Sequence, residues 1–138
     1  MKPQKITISA IVDAPINKVW NCWNLPEHIT KWNAAIDTWH CPSAENDLCV
    51  GGKIKSRMEA KDGSMGFDFE GVYTEVVPHQ RISYKLGDER EVNISFKELG
   101  HTTEIIETFD AENQNSIELQ RGGWQSILNN FKKYTESV

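Results

Sequence analysis

The sequence has no basic surplus, no long apolar run and no paired set of cysteines, and each absence removes a class of function. Fifteen Lys and Arg stand against twenty Asp and Glu, for a formal net charge of −5. Nucleic-acid binding needs a basic face to meet phosphates, and no local Lys/Arg cluster supplies one. No apolar stretch approaches the roughly 18 residues of a membrane span. The N-terminal segment lacks the apolar core of a signal peptide, so neither nucleic acid nor membrane is expected as a partner. The three cysteines, Cys22, Cys41 and Cys49, include no Cys-x-x-Cys pair. They are expected to be reduced thiols in a cytosol rather than a disulfide framework. His40-Cys41 and Cys49 match no zinc spacing, so neither a metal nor a cofactor is expected. A Gly-x-Ser-x-Gly elbow and a phosphate loop are also missing. There is no repeat, low-complexity tract or linker, and 138 residues make one domain, 1–138. A chain of this length buries about two-thirds of its unfolded surface, enough for a true core.

What is present is organised around the stretch from Asn115 to Val138, which reads as one long helix. Ile117, Trp124, Ile127, Leu128, Phe131 and Tyr134 recur at helical intervals and form one stripe. Asn115 is placed to cap the start, with Glu118 three residues later as in a capping box. About twenty helical residues span roughly 30 Å, the width of a small domain. Gly122-Gly123 falls in the middle of this helix, where each glycine costs about 1 kcal/mol relative to alanine. One reading is a kink. The other is a close approach of the sheet or a bound molecule to the backbone.

The rest of the chain supplies strands and two short helices. Lys5 to Val12 alternates, with Ile6, Ile8 and Ala10 on one face. Pro15 suits a first helical position, and Ile16, Val19, Trp20 and Trp23 then define a short amphipathic helix. Leu25-Pro26 breaks it, and Glu27 to Trp32 forms another short helical turn. Four of the five tryptophans, Trp20, Trp23, Trp32 and Trp39, lie here; core filling is the default use of such a cluster, and a binding-site wall is the alternative. Ile36 to His40 is expected as a strand and Cys41 to Val50 as a polar loop. Lys53 to Lys61 alternates with Ile54, Ser56, Met58 and Ala60 inward, and Asp62-Gly63 is a hairpin signal. Met65 to Val77 is a long strand with Phe67 and Phe69 on one face and Gly71 as a candidate bulge. After Gly71 the register stays open, with Val72 and Val76 competing against Tyr73 and Val77 for the inward face. Arg81 to Leu86 directs Ile82 and Tyr84 to one side, and Arg90 to Leu99 does so with Val92, Ile94 and Phe96. His101 to Phe109 closes the sheet, with Thr103, Ile105 and Phe109 opposite Thr102, Glu104 and Ile106. Short turns imply mostly antiparallel pairing. The order predicts an α+β protein, a curved sheet wrapped around the C-terminal helix.

Several motifs in order resemble a known family. They are Pro15 with Val19-Trp20, Pro26-Glu27 and Trp32, Asp47-Leu48 before Val50-Gly51-Gly52, Phe69-Glu70-Gly71, Pro78 and Arg81, Phe96 before Gly100 and Thr103, and Gly123-Trp124 with Leu128. Together they resemble the START-like (SRPBCC) superfamily, in its branch of homologues of the activator of heat-shock-protein-ninety ATPase. The resemblance implies a helix-grip fold with a cavity between sheet and helix, where relatives commonly hold apolar small molecules and some act as cyclases or hydrolases. It also implies a chaperone-linked stress response. The eukaryotic co-chaperones carry a separate N-terminal domain; here the first strand starts by about residue 5, so that domain, and with it chaperone activation, is not expected.

No catalytic constellation is evident. His28, His40, His79 and His101 fall in loops, helix ends or strand starts. Asp68 and Glu70 alternate with Phe67 and Phe69, so inward phenylalanines place the carboxylates in solvent, while the opposite assignment would bury two acids. Gln120 and Arg121 lie on the helix stripe between Ile117 and Trp124, and Arg121 either lays its stem along the core edge or anchors a ligand at a cavity mouth. Non-catalytic binding of a small hydrophobic molecule calls for an apolar pocket without paired titratable groups. An enzyme on a hydrophobic substrate calls for an inward carboxylate, histidine or tyrosine of perturbed pKa. A chaperone-associated module with a weak protein partner calls for a filled interior and an exposed patch. The first is favoured. The cavity is expected against the first half of the helix, with Ile127 to Tyr134 packed solid. Its expected lining is Trp32, Met58, Phe67, Phe69, Tyr84, Phe96, Ile117, Arg121 and Trp124, with Tyr84 and Arg121 as polar anchors.

Overall fold

The computed structural model describes residues 4–138. The chain runs β1 (Lys5–Val12), α1 (Ile16–Asn24), α2 (Pro26–Trp32), β2 (Trp39–Asn46), β3 (Lys53–Ala60), β4 (Gly66–Val77), β5 (Arg81–Leu86), β6 (Glu91–Glu98), β7 (Thr103–Asp110) and α3 (Ile117–Ser137). All seven strands form one antiparallel sheet in the order β1-β7-β6-β5-β4-β3-β2. The sheet curls as a half-barrel. The long helix lies in its concave side, packed on β1, α1 and α2.

Period-two alternation places the core. Ile6, Ile8 and Val12 of β1, Ile82 and Tyr84 of β5, and Val92, Ile94 and Phe96 of β6 are all buried. Across β3, Ser56, Met58 and Ala60 are buried while Lys53 is exposed, in the register the alternation predicts. Asp68 and Glu70 face the solvent side of β4, where Lys55 and Arg57 meet them. The two short helices fill the end of the half-barrel with aromatics. Trp23 packs on Trp32 at 5.1 Å, and both meet Phe131 of α3 edge to face, at 4.8 and 5.0 Å. The Trp32 indole N–H donates to the Cys22 carbonyl at 2.9 Å, so this buried ring is also satisfied.

Several local expectations are corrected. Pro15 is the N-cap of α1, extended at φ −71°, and its carbonyl accepts the first helical bond from Val19. Ser116, not Asn115, caps α3; its hydroxyl accepts from the Leu119 N–H at 3.1 Å, as an N-cap oxygen does. Asn115 instead donates its N–H to Glu112, and its carbonyl accepts from Gln120. The segment 41–46, expected as loop, belongs to β2, which begins only at Trp39. Polar composition hid it because β2 is an edge strand, and a bulge between His40 and Ser43 breaks its alternation. Gly71 is regularly paired with Ile54 and Leu86; the bulge in β4 falls instead between Tyr73 and Glu75. One extra residue reverses the parity there. Tyr73 points inward before it and Val76 packs on the core after it, which is why neither register fitted the whole strand. Gly122 and Gly123 have open space where a Cβ would stand, so neither marks a close approach. A close approach to an inward ring occurs instead at Gly71, where a Cβ would lie 2.6 Å from the Tyr84 ring.

Candidate ligand cavity

Between the sheet and the middle of α3 lies a cavity of about 190 Å³, lined by Trp23, Ile29, Trp32, Asn33, Ile54, Ser56, Met58, Phe67, Phe69, Tyr84, Glu107, Trp124, Ile127 and Leu128. Its volume exceeds the roughly 150 Å³ of an apolar cavity that holds benzene. Each wall follows from a local pattern. Ser56 and Met58 come from the inward row of β3, and their partners across β4 are Phe69 and Phe67. Tyr84 stands on β5 beside Tyr73 and meets Phe69 edge to face at 6.3 Å. Trp124 closes the helix side, stacked on Phe109 of β7 with ring centroids 3.9 Å apart. Phe67 is 51% exposed and so marks the mouth, next to Trp39 at 6.0 Å.

The structure thus brings Trp32, Met58, Phe67, Phe69, Tyr84 and Trp124 of the expected lining around one space, and leaves three residues outside it. Phe96 is buried against Trp20 and Trp23 of α1, at 5.3 and 5.8 Å. Ile117 sits in the first turn of α3, packed on the core edge. Arg121 is exposed, and Gln120 takes the buried position of that turn. The Gln120 amide is committed to the loop before the helix: its Oε1 accepts from the Glu112 N–H at 2.9 Å, and its Nε2 donates to the Glu112 and Asn115 carbonyls. The cavity is centred on Trp124, Ile127 and Leu128, roughly one to two turns past Ile117 and Arg121 at about 1.5 Å per residue. Ile127 and Leu128 therefore bound a void, contrary to the expected solid packing from Ile127 onward; Phe131, farther along, is fully buried among tryptophans.

The chemistry inside comes from a residue outside the expected set. Glu107 is only 5% exposed, on the inward row of β7 between Ile105 and Phe109. Burial alone pushes its carboxyl up to about 8, with neither hydrogen bond nor cation in opposition. Tyr84, also buried, is raised well above the usual phenol, first by burial and then by the Glu107 charge. The Ser56 hydroxyl is buried beside the Cys41 thiol, whose own S–H donates to the Ser43 carbonyl. The signal for Glu107 was available in the alternation Thr103, Ile105, Glu107, Phe109, which puts a carboxylate in an inward row.

The same chain order and fold recur among known proteins. The family model for "Activator of Hsp90 ATPase homolog 1-like protein" matches residues 13–136. The chain belongs to this family. It is similar to an AHSA1-like protein of Aeromonas hydrophila solved in solution, at 45% identity and a TM-score of 0.91, covering 97% of this chain and 93% of that one. A solution structure from Cytophaga hutchinsonii is 53% identical, with a TM-score of 0.84 over 96% and 92% of the two chains. A Chromobacterium violaceum protein at 24% identity, with a TM-score of 0.86 over 97% and 99%, shares the fold. No curated protein gives a significant sequence match. Membership of the activator of Hsp90 ATPase homolog 1-like family places the chain in the START-like branch that its motifs suggested. No helix among the described residues is long and apolar enough to cross a membrane.

Proposed function

We propose that this protein binds a small hydrophobic molecule in the cavity between the sheet and α3, without transforming it. The observation that carries the reading is the cavity itself, an aromatic-walled space open at Phe67. Ligand sites are mostly apolar with a few convergent polar groups, and Tyr84, Ser56 and Glu107 supply such groups here. Family membership supports the same reading at the level of fold, because the START-like architecture is compatible with ligand binding. Three free cysteines, two of them buried, fit a reducing cytoplasm as the place of action.

Glu107 favours one alternative, an enzyme of cyclase or hydrolase type acting on a hydrophobic substrate, since an inward acid held near pH 8 is a candidate proton donor or acceptor. Against it, no nucleophile or second acid–base group among the described residues is hydrogen-bonded to that carboxyl. A chaperone-associated module with a filled interior is the reading the cavity supports least.

The test compares two phenylalanines with an apolar fluorescent probe. Phe69→Ala, in the wall, should weaken probe binding while the fold is kept, and Phe131→Ala should mainly lower stability. Equal probe affinity in wild type and Phe69→Ala would overturn the reading. A turnover product among screened aromatic metabolites would replace binding with catalysis.

A further inference from the structure

We propose that the cavity selects ligands carrying a protonated amine on a compact apolar or aromatic body, with the Glu107 carboxylate as counter-ion. The proposal rests on the reading of the cavity as a ligand site and adds the chemical class.

The surroundings of Glu107 carry the inference. Its cross-strand neighbours on the inward face are Ile8 of β1 and Ile94 of β6. From α3, Trp124, Ile127 and Leu128 cover the same space. Among the described residues, Tyr84 of β5 is the only other titratable group in the wall, and no Lys, Arg or His lines it. Among the described residues the carboxyl therefore has neither a donor nor a cation. Asp110, three residues further along β7 and likewise little exposed, shows the usual solution: Lys5 Nζ at 2.7 Å and the Glu91 N–H at 2.9 Å satisfy it. Buried acids left without partners are costly and uncommon. At Glu107 the described chain supplies no such partner, and the cavity begins there.

An ammonium ion suits that place better than the other ligand charges. An anion would meet a buried acid and no basic group. A neutral ligand would leave the acid to keep its proton and gain one hydrogen bond at most. An ammonium pairs with the carboxylate in a charge-assisted hydrogen bond. Its remaining face lies among Trp32, Phe69, Tyr84 and Trp124, and aromatic faces attract cations. The proton balance is explicit. At neutral pH Glu107 is a neutral acid, so binding R–NH3+ breaks the Glu107 O–H bond, forms the ion pair and releases one H+ to solvent. Affinity should therefore rise with pH until Glu107 is ionised in the free protein, near pH 8.

The experiment titrates the intact protein by calorimetry with benzylamine and with benzyl alcohol, its neutral counterpart, at pH 6 and pH 8. Two buffers of different ionisation heat count the protons. The expected result is benzylamine binding at least tenfold more tightly at pH 8 than at pH 6, with close to one proton released at pH 6. Benzyl alcohol should bind with no pH dependence. Glu107→Gln should remove the amine preference and the proton release; the proton count on wild type decides the matter if that variant fails to fold. Equal affinity for the two probes, or amine binding without proton release, overturns the proposal. An apolar probe that binds in a Phe69-dependent way while benzylamine does not would overturn the amine selectivity alone. Failure of every probe would overturn the ligand site and this proposal with it.

Discussion

Phe109 and Trp124 lie face to face, 12° from parallel with ring centroids 3.9 Å apart. This contact ties the last strand of the sheet to the middle of the long helix, two residues along β7 from Glu107. Trp124 also meets Phe69 edge to face at 6.2 Å, so one indole bridges β7 and β4 across the concave side and roofs the cavity. Trp124→Ala should cost about 3 kcal/mol, within the usual range for truncating a packed aromatic. Urea denaturation measures it, and a loss under about 1 kcal/mol would mean the stack does not hold the helix in place.

Glycines on the helix and on the sheet should respond in opposite directions. Gly122→Ala and Gly123→Ala each place a methyl in open space. Each should stabilise by up to about 1 kcal/mol through helix propensity. Gly71→Ala would push its methyl to 2.6 Å from the Tyr84 ring, which Phe69 and Tyr73 hold from two sides. It should destabilise by about 1–3 kcal/mol. Equal effects at the two places would contradict the packing described.

The pH dependence of stability should carry the mark of Glu107. Its folded pKa, about 8, lies above that of an unfolded glutamate, so the folded state holds one more proton between about 4.3 and 8. Stability is then greatest below that window, declines as pH rises through it and levels off above it. Asp110, held low despite its burial by Lys5 and the Glu91 amide, acts in the opposite sense at acid pH. Subtracting the Glu107→Gln curve isolates the first effect. The wild type should lose stability relative to the variant from pH 5 to 8, by several kcal/mol at most. A flat difference curve would show a solvated carboxyl.

Thiol accessibility should divide two to one. Cys22 and Cys41 are buried and Cys49 is exposed. A thiol reagent should therefore label one cysteine promptly in native protein and three after unfolding. Slow labelling of Cys49, or fewer than three thiols in the unfolded chain, would be inconsistent with three free cysteines.

Much of this architecture was legible because strand alternation and helical stripes report burial directly. The inward rows of β1, β3, β5 and β6, and the stripe Trp124, Ile127, Leu128, Phe131, were readable from residue type alone. What escaped was whatever broke a period. The β4 bulge after Tyr73 inverted the parity of one strand, and the β2 bulge at Cys41-Pro42 made an edge strand read as loop. The cavity was legible in its aromatics and not in its position along α3, because a stripe fixes direction around a helix and says nothing of where along the axis packing gives out. Arg121 drew the anchor role for lying on the stripe, yet Gln120 occupies the buried place beside it. Glu107 escaped because a lone glutamate on an amphipathic strand normally faces water, whereas Asp68 and Glu70, alternating with two phenylalanines, made the more conspicuous pair of acids.

The pairing of β1 with β7 has a consequence for how the molecule forms. Lys5 aligns with Asp110, and the register continues from there to Val12 opposite Thr103. The first strand thus finds its sheet neighbour about a hundred residues later, and α3 then packs on that same strand. Contacts of such long sequence separation slow folding, since loop closure must precede them. During synthesis β1 must wait, unpaired, until the last strand emerges, while the meander from β2 to β6 already has its neighbours. The pairing of β1 with β7 and the seating of α3 on β1 are therefore the contacts expected to form last.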